Sequence, residues 1–220
     1  MSTTLERDLR RRFVTAEECV RVGEEHFTLL KPRDADDLIS EVDFAKDERL
    51  PYWADLWPSA IVLAEWFAGE AGDGRTMLEL GCGLGLVTLA AMRAGFEVTA
   101  ADYYEDALRF TELNAQRATG RAPRTRMVDW RAMPDDLGRF DVVVACDVLY
   151  EKPNAEWVAE AMTQTLASRG TAIMADPGRI AIQEFLDACE AREFRRVDTI
   201  ERKITVGEKE QTVRVYRLAW

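Results

Sequence analysis

Gly81, Gly83 and Gly85 follow a short apolar run, TMLEL (76–80), and precede a helix-patterned segment from about Leu84 to Arg93. Glycine at such a strand-to-helix turn permits positive φ and lets the backbone approach a ligand closely. Two carboxylates flank the turn. Glu79 stands two residues before the first glycine, and Asp102 ends the next apolar run, FEVTAA (96–101), where an acid can accept two hydrogen bonds from ribose hydroxyls. The spacing is G-x-G-x-G, not the G-x-G-x-x-G of dinucleotide-binding turns. Together with Glu79 it points to a nucleoside ligand with an amino-acid tail. A nicotinamide dinucleotide, which needs the same ribose acid, is the competing reading.

A second constellation lies after the apolar run FDVVVA (140–145), in ACDVLYEKPN. If the chain turns helically there, Asp147 and Tyr150, at i and i+3, share one face at the carboxyl edge of a sheet. A carboxylate and an aromatic ring so placed can hold a cation, one by a charge-assisted hydrogen bond and the other by its ring face. The competing assignment makes Asp147 a helix cap and Tyr150 core packing. Trp53 and Trp57, in LPYWADLWPS before a helix start at Pro58 and Ser59, read as core, lid or pocket wall. Cys82 and Cys146 fall near the same pocket, and nothing around them marks a nucleophile.

The rest of the inventory narrows the chemistry. One histidine, His26, removes most His-ligated metal sites and leaves a Ser-His-Asp or Cys-His scheme without a motif, so no metal is expected. The four cysteines (Cys19, Cys82, Cys146 and Cys189) include no C-x-x-C and form no disulfide framework, which fits a reducing cytoplasm. Asp and Glu total 40 against 29 Lys and Arg, and the resulting net charge of −11 repels phosphate, so nucleic acid is an unexpected partner. No apolar run approaches the roughly 18 residues that would span a bilayer, and the N-terminus carries no apolar signal segment.

The elements that must position these residues alternate regularly. Apolar runs at 76–80, 96–101, 125–128, 140–145 and 171–175 are separated by helix patterns at about 84–93, 105–118, 154–166 and 180–191. Such alternation is the pattern of a parallel sheet covered on both faces. QTVRVYRL (211–218) alternates apolar and charged residues, as a half-exposed antiparallel strand does. Ahead of the sheet, residues 18–30 read as a hairpin around Gly23, residues 5–12 as a frayed surface helix or arm, and the acidic stretch 34–48 as a solvated loop or a rim that attracts cations. The expected fold is an α/β, Rossmann-like sheet of seven mostly parallel strands with helices on both faces and an antiparallel last strand. Residues 1–50 form an N-terminal extension to a domain of 51–220.

Across about residues 52–200, ELGCGLG followed by the acidic strand end AADY resembles the class I, seven-strand S-adenosylmethionine-dependent methyltransferases. Within that class, LPYWADLWPSAIVLAEW and the Asp-x-x-Tyr motif Asp147-Val148-Leu149-Tyr150 are similar to the lysine methyltransferases of methyltransferase family 16. The resemblance implies S-adenosylmethionine as cofactor, with Glu79 and the Gly81–Cys82–Gly83–Gly85 loop on its methionine end. It further implies Asp102 on the ribose, Tyr103 beside the adenine, Asp129 and Trp130 (in MVDW) at the adenine as well, and Trp57 as a pocket wall with Cys146 nearby. Asp147 and Tyr150 become the catalytic pair, orienting an amine. The partner is then a protein with an accessible lysine, or a small amine, met by a cytoplasmic monomer. A small-molecule N- or O-methyltransferase and a noncatalytic cofactor-binding protein remain open beside it.

Overall fold

A computed structural model describes residues 3–38, 50–206 and 209–220. The chain opens with helix α1 (Thr4–Arg12) and an antiparallel hairpin of β1 (Thr15–Val22) and β2 (Glu25–Pro32). A 3-10 turn (Tyr52–Ala54) leads into α2 (Pro58–Ala68), followed by β3 (Thr76–Leu80), α3 (Leu86–Arg93), β4 (Glu97–Asp102) and α4 (Glu105–Thr119). Then come β5 (Arg124–Met127), β6 (Phe140–Cys146), α5 (Lys152–Thr165), β7 (Leu166–Asp176), α6 (Ile182–Ala191), β8 (Arg195–Val206) and β9 (Lys209–Ala219).

The large sheet has seven strands in the order β5-β4-β3-β6-β7-β9-β8. β3 to β7 pair in parallel, while β9 runs antiparallel to both β7 and β8. This is the expected mostly parallel sheet with an antiparallel last strand. From β3 the chain moves outward to β4 and β5, then returns to place β6 on the other flank of β3. Loops leaving β3 and β6 therefore part in opposite directions, and a crevice opens beyond their carboxyl ends.

Alternate residues of the strands feed two cores. Met77, Val98, Val142, Val144 and Ile173 face α2, α3, α4 and the hairpin, whereas Leu78, Ala101, Val143, Met174 and Leu218 face α5 and α6. Helix α3 is buried from Leu86 to Met92, which its sequence LVTLAAM, apolar on every side, permits.

The hairpin spans more than the expected 18–30 and forms a sheet of its own. Leu29 and Leu30 are fully buried in the core that also holds Leu63, Leu89 and Phe110. Asn114 of α4 locks it there: its side chain accepts the Leu30 N–H (2.8 Å) and donates to the carbonyls of Leu30 and Leu84 (3.0 Å each). Residues 5–12, expected as a frayed surface helix or arm, form a helix that is docked and not frayed. Thr3 caps α1 by accepting the Glu6 N–H, Leu9 is fully buried, and Asp8 and Glu6 pair with Arg109 (2.6 Å) and Arg117 (2.5 Å) of α4. Its polar local composition hides partners about a hundred residues away. From residue 39 onward the acidic stretch lies outside the described residues.

Candidate active site

The crevice is a cleft of about 1090 Å³, counted out to its open mouth. At one end stands the glycine turn. The N–H groups of Gly81 and Cys82 both donate to the Ala101 carbonyl (2.8 and 3.0 Å), tying the turn to the end of β4. Asp102 continues the tie: its Oδ2 accepts the Gly83 N–H and its Oδ1 the Tyr104 N–H, each at 3.0 Å. From α4, Thr111 donates to the Gly83 carbonyl (2.9 Å). The turn is thus held before any ligand arrives. Gly85 begins α3 at φ 84°, and a Cβ there would lie 2.8 Å from the Thr111 side chain; at Gly83 (φ 52°) it would lie 3.2 Å from the Trp53 carbonyl. Glycine is required at both positions by conformation and by space.

Glu79 is buried at the end of β3, with the Thr88 hydroxyl donating to its Oε2 at 2.5 Å. Burial pushes its carboxyl up to about 8, the Thr88 bond opposes that, and the Asp102 carboxylate adds to it. A cation brought to this carboxyl would restore its charge. Burial also pushes the Cys82 and Cys146 thiols well up, with nearby carboxylates adding to the effect, so both stay protonated. This agrees with their reading as packing groups beside the pocket.

Trp130 closes the turn from outside, 3.3 Å from where a Gly81 Cβ would stand, and its buried Nε1 donor has no partner. Tyr103 packs edge-on to Tyr104, and the Arg131 guanidinium lies 5.8 Å from its ring centroid. Two carboxyls at the ends of adjacent strands, a buried indole donor without a partner and a glycine cradle are the groups that a nucleoside with an amino-acid tail would need. Asp129 does not join them. It stands outside the cleft lining, its carboxylate forked onto the Arg131 side chain at 2.7–3.0 Å.

At the other end, Tyr52, Trp57, Asp147 and Tyr150 converge on the same cleft. Tyr52 packs against Tyr150 (centroids 4.8 Å apart) and Trp57 (6.0 Å), and its carbonyl accepts the Trp57 indole N–H at 2.8 Å. Asp147 and Tyr150 share the cleft, but not through a helical turn. Residues 147–151 are loop, α5 starts at Lys152, and Asp147 adopts φ 56°. Aspartate is among the few side chains that tolerate that left-handed region, and such backbone clusters at functional sites.

The Asp147 carboxylate is buried and already partnered. Its Oδ1 accepts Arg179 Nε at 2.8 Å and pairs with the other guanidinium nitrogen at 2.7 Å, while its Oδ2 accepts the Ser59 N–H in the first turn of α2 at 3.4 Å. The rival assignment of Asp147 as a helix cap is therefore partly right, though the helix capped is α2 and not the following α5. Tyr52, Arg179 and Asn154, whose amide holds the Val148 carbonyl at 2.7 Å, were not singled out from sequence. Arg179, just past the end of β7, had a signal in the rule that such edges bind ligands.

Among the described residues, no group of three or more His, Cys, Asp or Glu side chains is placed to hold a metal, and no helix is long and apolar enough to cross a membrane.

The strand order and the glycine cradle at the switch point define the class I methyltransferase fold. The magnesium protoporphyrin IX methyltransferase of Synechocystis PCC 6803, solved with bound S-adenosylmethionine, shares that fold at a TM-score of 0.59 and 16% identity, over 83% of this chain and 86% of that one. The particular branch comes from sequence. A family model described as lysine methyltransferase matches residues 40–191, and the chain belongs to that family. The electron transfer flavoprotein beta subunit lysine methyltransferase of Danio rerio is 28% identical over 138 residues (61% of this chain, 53% of that protein). The protein-lysine methyltransferase METTL21E of Mus musculus is 31% identical over 118 residues, 48% of each chain. The chain spans about half the length of these curated relatives.

Proposed function

We propose that this chain is an S-adenosylmethionine-dependent protein-lysine N-methyltransferase. The observation that carries the reading is the meeting, in one cleft, of the Glu79–glycine–Asp102 cradle with the Tyr52–Trp57–Tyr150 aromatic group around Asp147. In this reading Glu79 takes the cofactor's ammonium, Asp102 the ribose diol, and Tyr103 and Trp130 the adenine. Cys82 and Cys146 pack beside it, and Asp129 serves by holding Arg131 at Tyr103. Bound there, the cofactor supplies an electrophilic methyl group on a sulfonium sulfur.

The chain's own task is to deliver a nitrogen lone pair in line with the S–CH3 bond. A lysine amine has a pKa near 10.4, so presenting it neutral at pH 7 costs about 5 kcal/mol. The aromatic walls strip water from the amine, which disfavours its charged form. Tyr52, Trp57 and Tyr150 then fix its line of approach, and holding the two reactants aligned supplies much of the acceleration. Asp147 orients the amine, and no covalent step on the protein is needed. A cytoplasmic monomer acting on a protein with an accessible lysine completes the reading. Free thiols at all four cysteines support that compartment, and the charge of −11 supports a basic protein partner over nucleic acid.

Transfer of labelled methyl groups from S-adenosylmethionine into protein and small-molecule fractions of a cell lysate tests it, with Asp102→Ala as control. Label in a discrete protein band, lost in the variant and mapping to lysine, is the expected result. Label confined to small molecules would replace it with a small-amine or O-methyltransferase.

A further inference from the structure

The features that would recognise a cation at the acceptor end, the Asp147 carboxylate and the Trp57 ring, already share one. The Arg179 guanidinium pairs with Asp147 Oδ1 at 2.7–2.8 Å and lies 4.9 Å from the Trp57 ring centroid. Its loop is built to put it there. Asp176, buried at the end of β7, accepts the N–H groups of Gly178 and Arg179 through Oδ1, both at 2.7 Å, in an Asp-Pro-Gly-Arg turn. The Asp147 side chain is 1% exposed and that of Arg179 28%, and Arg179 stands behind the cleft lining, meeting it through Asp147 and Trp57.

We propose that Arg179 is a specificity-determining residue of the acceptor site: by taking the cation position between Asp147 and Trp57, it makes the site admit the acceptor amine as the neutral base and reject its ammonium form. The inference rests on the amine-methylating reading above. Without Arg179 a buried carboxylate beside an aromatic face is a trap for ammonium, the unreactive form, because nitrogen has no lone pair to give until it loses its proton. With Arg179 in place the pair is neutral overall, and a second cation meets repulsion without a free charge to offset it. The other charged or titratable groups around Asp147 among the described residues do not take over this role. Asp176 accepts from its own loop through Oδ1 only, while its buried Oδ2 meets no partner and burial raises its carboxyl; Cys146 stays a thiol, Glu79 stands at the cofactor end, and Tyr150 and Glu151 lie on the loop that follows Asp147. From α2 only the Ser59 N–H reaches the carboxylate. During transfer, the amine lone pair forms the new N–C bond, the S–C electron pair stays on sulfur, and the product ammonium gives its extra proton to water. That product is itself a cation, so the same exclusion favours its departure.

The test uses the protein loaded with S-adenosylhomocysteine and a cation that cannot lose a proton, tetramethylammonium, titrated by tryptophan fluorescence and by calorimetry. Wild type is expected to show no saturable binding. Arg179→Ala should bind the probe at least about tenfold more tightly, the double variant with Asp147→Asn should lose that gain, and Arg179→Lys should exclude the probe as wild type does. A fold made merely looser would not yield a gain that depends on Asp147. Equal binding by wild type and Arg179→Ala, or a gain that survives Asp147→Asn, overturns the proposal. Unchanged affinity for S-adenosylhomocysteine certifies the variants; if Arg179→Ala does not fold, Arg179→Gln replaces it, and saturable binding by wild type alone is sufficient to overturn. A protein that shows the expected cation pattern yet labels no lysine overturns the lysine reading and leaves the charge exclusion standing.

Discussion

The Thr88 hydroxyl, in the first turn of α3, donates to the Glu79 carboxyl at 2.5 Å and closes the end of β3 against the helix that follows the glycine turn. Glu79 is buried with the Thr88 hydroxyl as its side-chain partner, and burial raises its carboxyl from 4.5 to about 8.

That shift has two consequences of opposite sign. Folded protein without ligand holds the Glu79 proton up to about pH 8, whereas the unfolded chain releases it near 4.5. Stability from this group is therefore full below pH 4.5 and is lost as pH rises toward 8, by up to about 5 kcal/mol. Cofactor binding runs the other way, because the bound ammonium needs the carboxylate: affinity should rise with pH between about 6 and 7.5, by up to about tenfold per unit. Glu79→Gln should flatten the stability profile of the unliganded protein in chemical denaturation and abolish the pH-dependent binding in calorimetry. A pH-independent affinity in wild type would place the ammonium elsewhere.

Gly85 and Gly120 both adopt left-handed backbone, at φ 84° and 76°, but only Gly85 is crowded. Gly120→Ala meets nothing within 4 Å and should cost about 1 kcal/mol, the conformational penalty alone. Gly85→Ala adds a 2.8 Å encounter with Thr111 and a 3.0 Å one with its Cα, and should cost at least about 2 kcal/mol more. Thermal denaturation of the two variants separates these contributions, and equal losses would show that the turn yields.

Asn114 joins three segments distant in sequence through its side-chain amide, fully buried between β2, α4 and the glycine turn at Leu84. Asn114→Leu leaves the Leu30 N–H and two carbonyls without partners, at about 1–3 kcal/mol for each group that water does not reach. We expect a loss on the order of 3 kcal/mol in denaturant unfolding, with weakened cofactor affinity because the Leu84 end of the cradle is released. Unaltered affinity in a folded Asn114→Leu protein would separate the hairpin from the site.

Asp147 caps α2 and pairs with Arg179, so its removal leaves a cation and a helix N–H to solvent or to nothing. Asp147→Asn keeps the tolerance of left-handed backbone and the Ser59 bond. It should cost about 1–2 kcal/mol, less than a fully buried pair because Arg179 is partly open to water. Asp147→Ala should cost more and lower methyl transfer at least about a hundredfold, through both lost orientation and the released α2 start. The comparison is read by urea denaturation and by initial rates at saturating cofactor. Rates unchanged in Asp147→Ala would remove this residue from the acceptor site.

The parallel sheet was legible because fully buried strands must be apolar throughout. TMLEL and FDVVVA carry that pattern without help from distant residues, and the G-x-G-x-G spacing marks a turn whose backbone no other residue type can adopt as readily. Glu79, Asp102, Asp147 and Tyr150 lie at or just past strand ends, so a local reading found them, whereas Tyr103 and Trp130 entered only through the family resemblance; all six line one cleft. The docking of α1 was not legible, since Leu9 is one apolar residue among charges and its anchor sites on α4 stand about a hundred positions later. Nor was the loop form of residues 147–151: the i, i+3 spacing assumes a helix, whereas Asp147 adopts positive φ while its N–H still bonds the Ala175 carbonyl of β7 at 3.0 Å.

By itself, the sequence determined the sheet, its switch point, the glycine cradle and the two acids beside it, because each depends on residue types within a strand and its adjoining turn. Only the tertiary structure decided that Asp129 turns onto Arg131, that Asp147 caps α2, and that Arg179 fills the cation position against Trp57. The Asp129–Arg131 pair is local, two positions apart, whereas the contacts of Asp147 and Arg179 join groups 32 to 122 positions apart. Charge pairing acts through space, and one carboxylate or one arginine has many candidate partners until the fold selects among them.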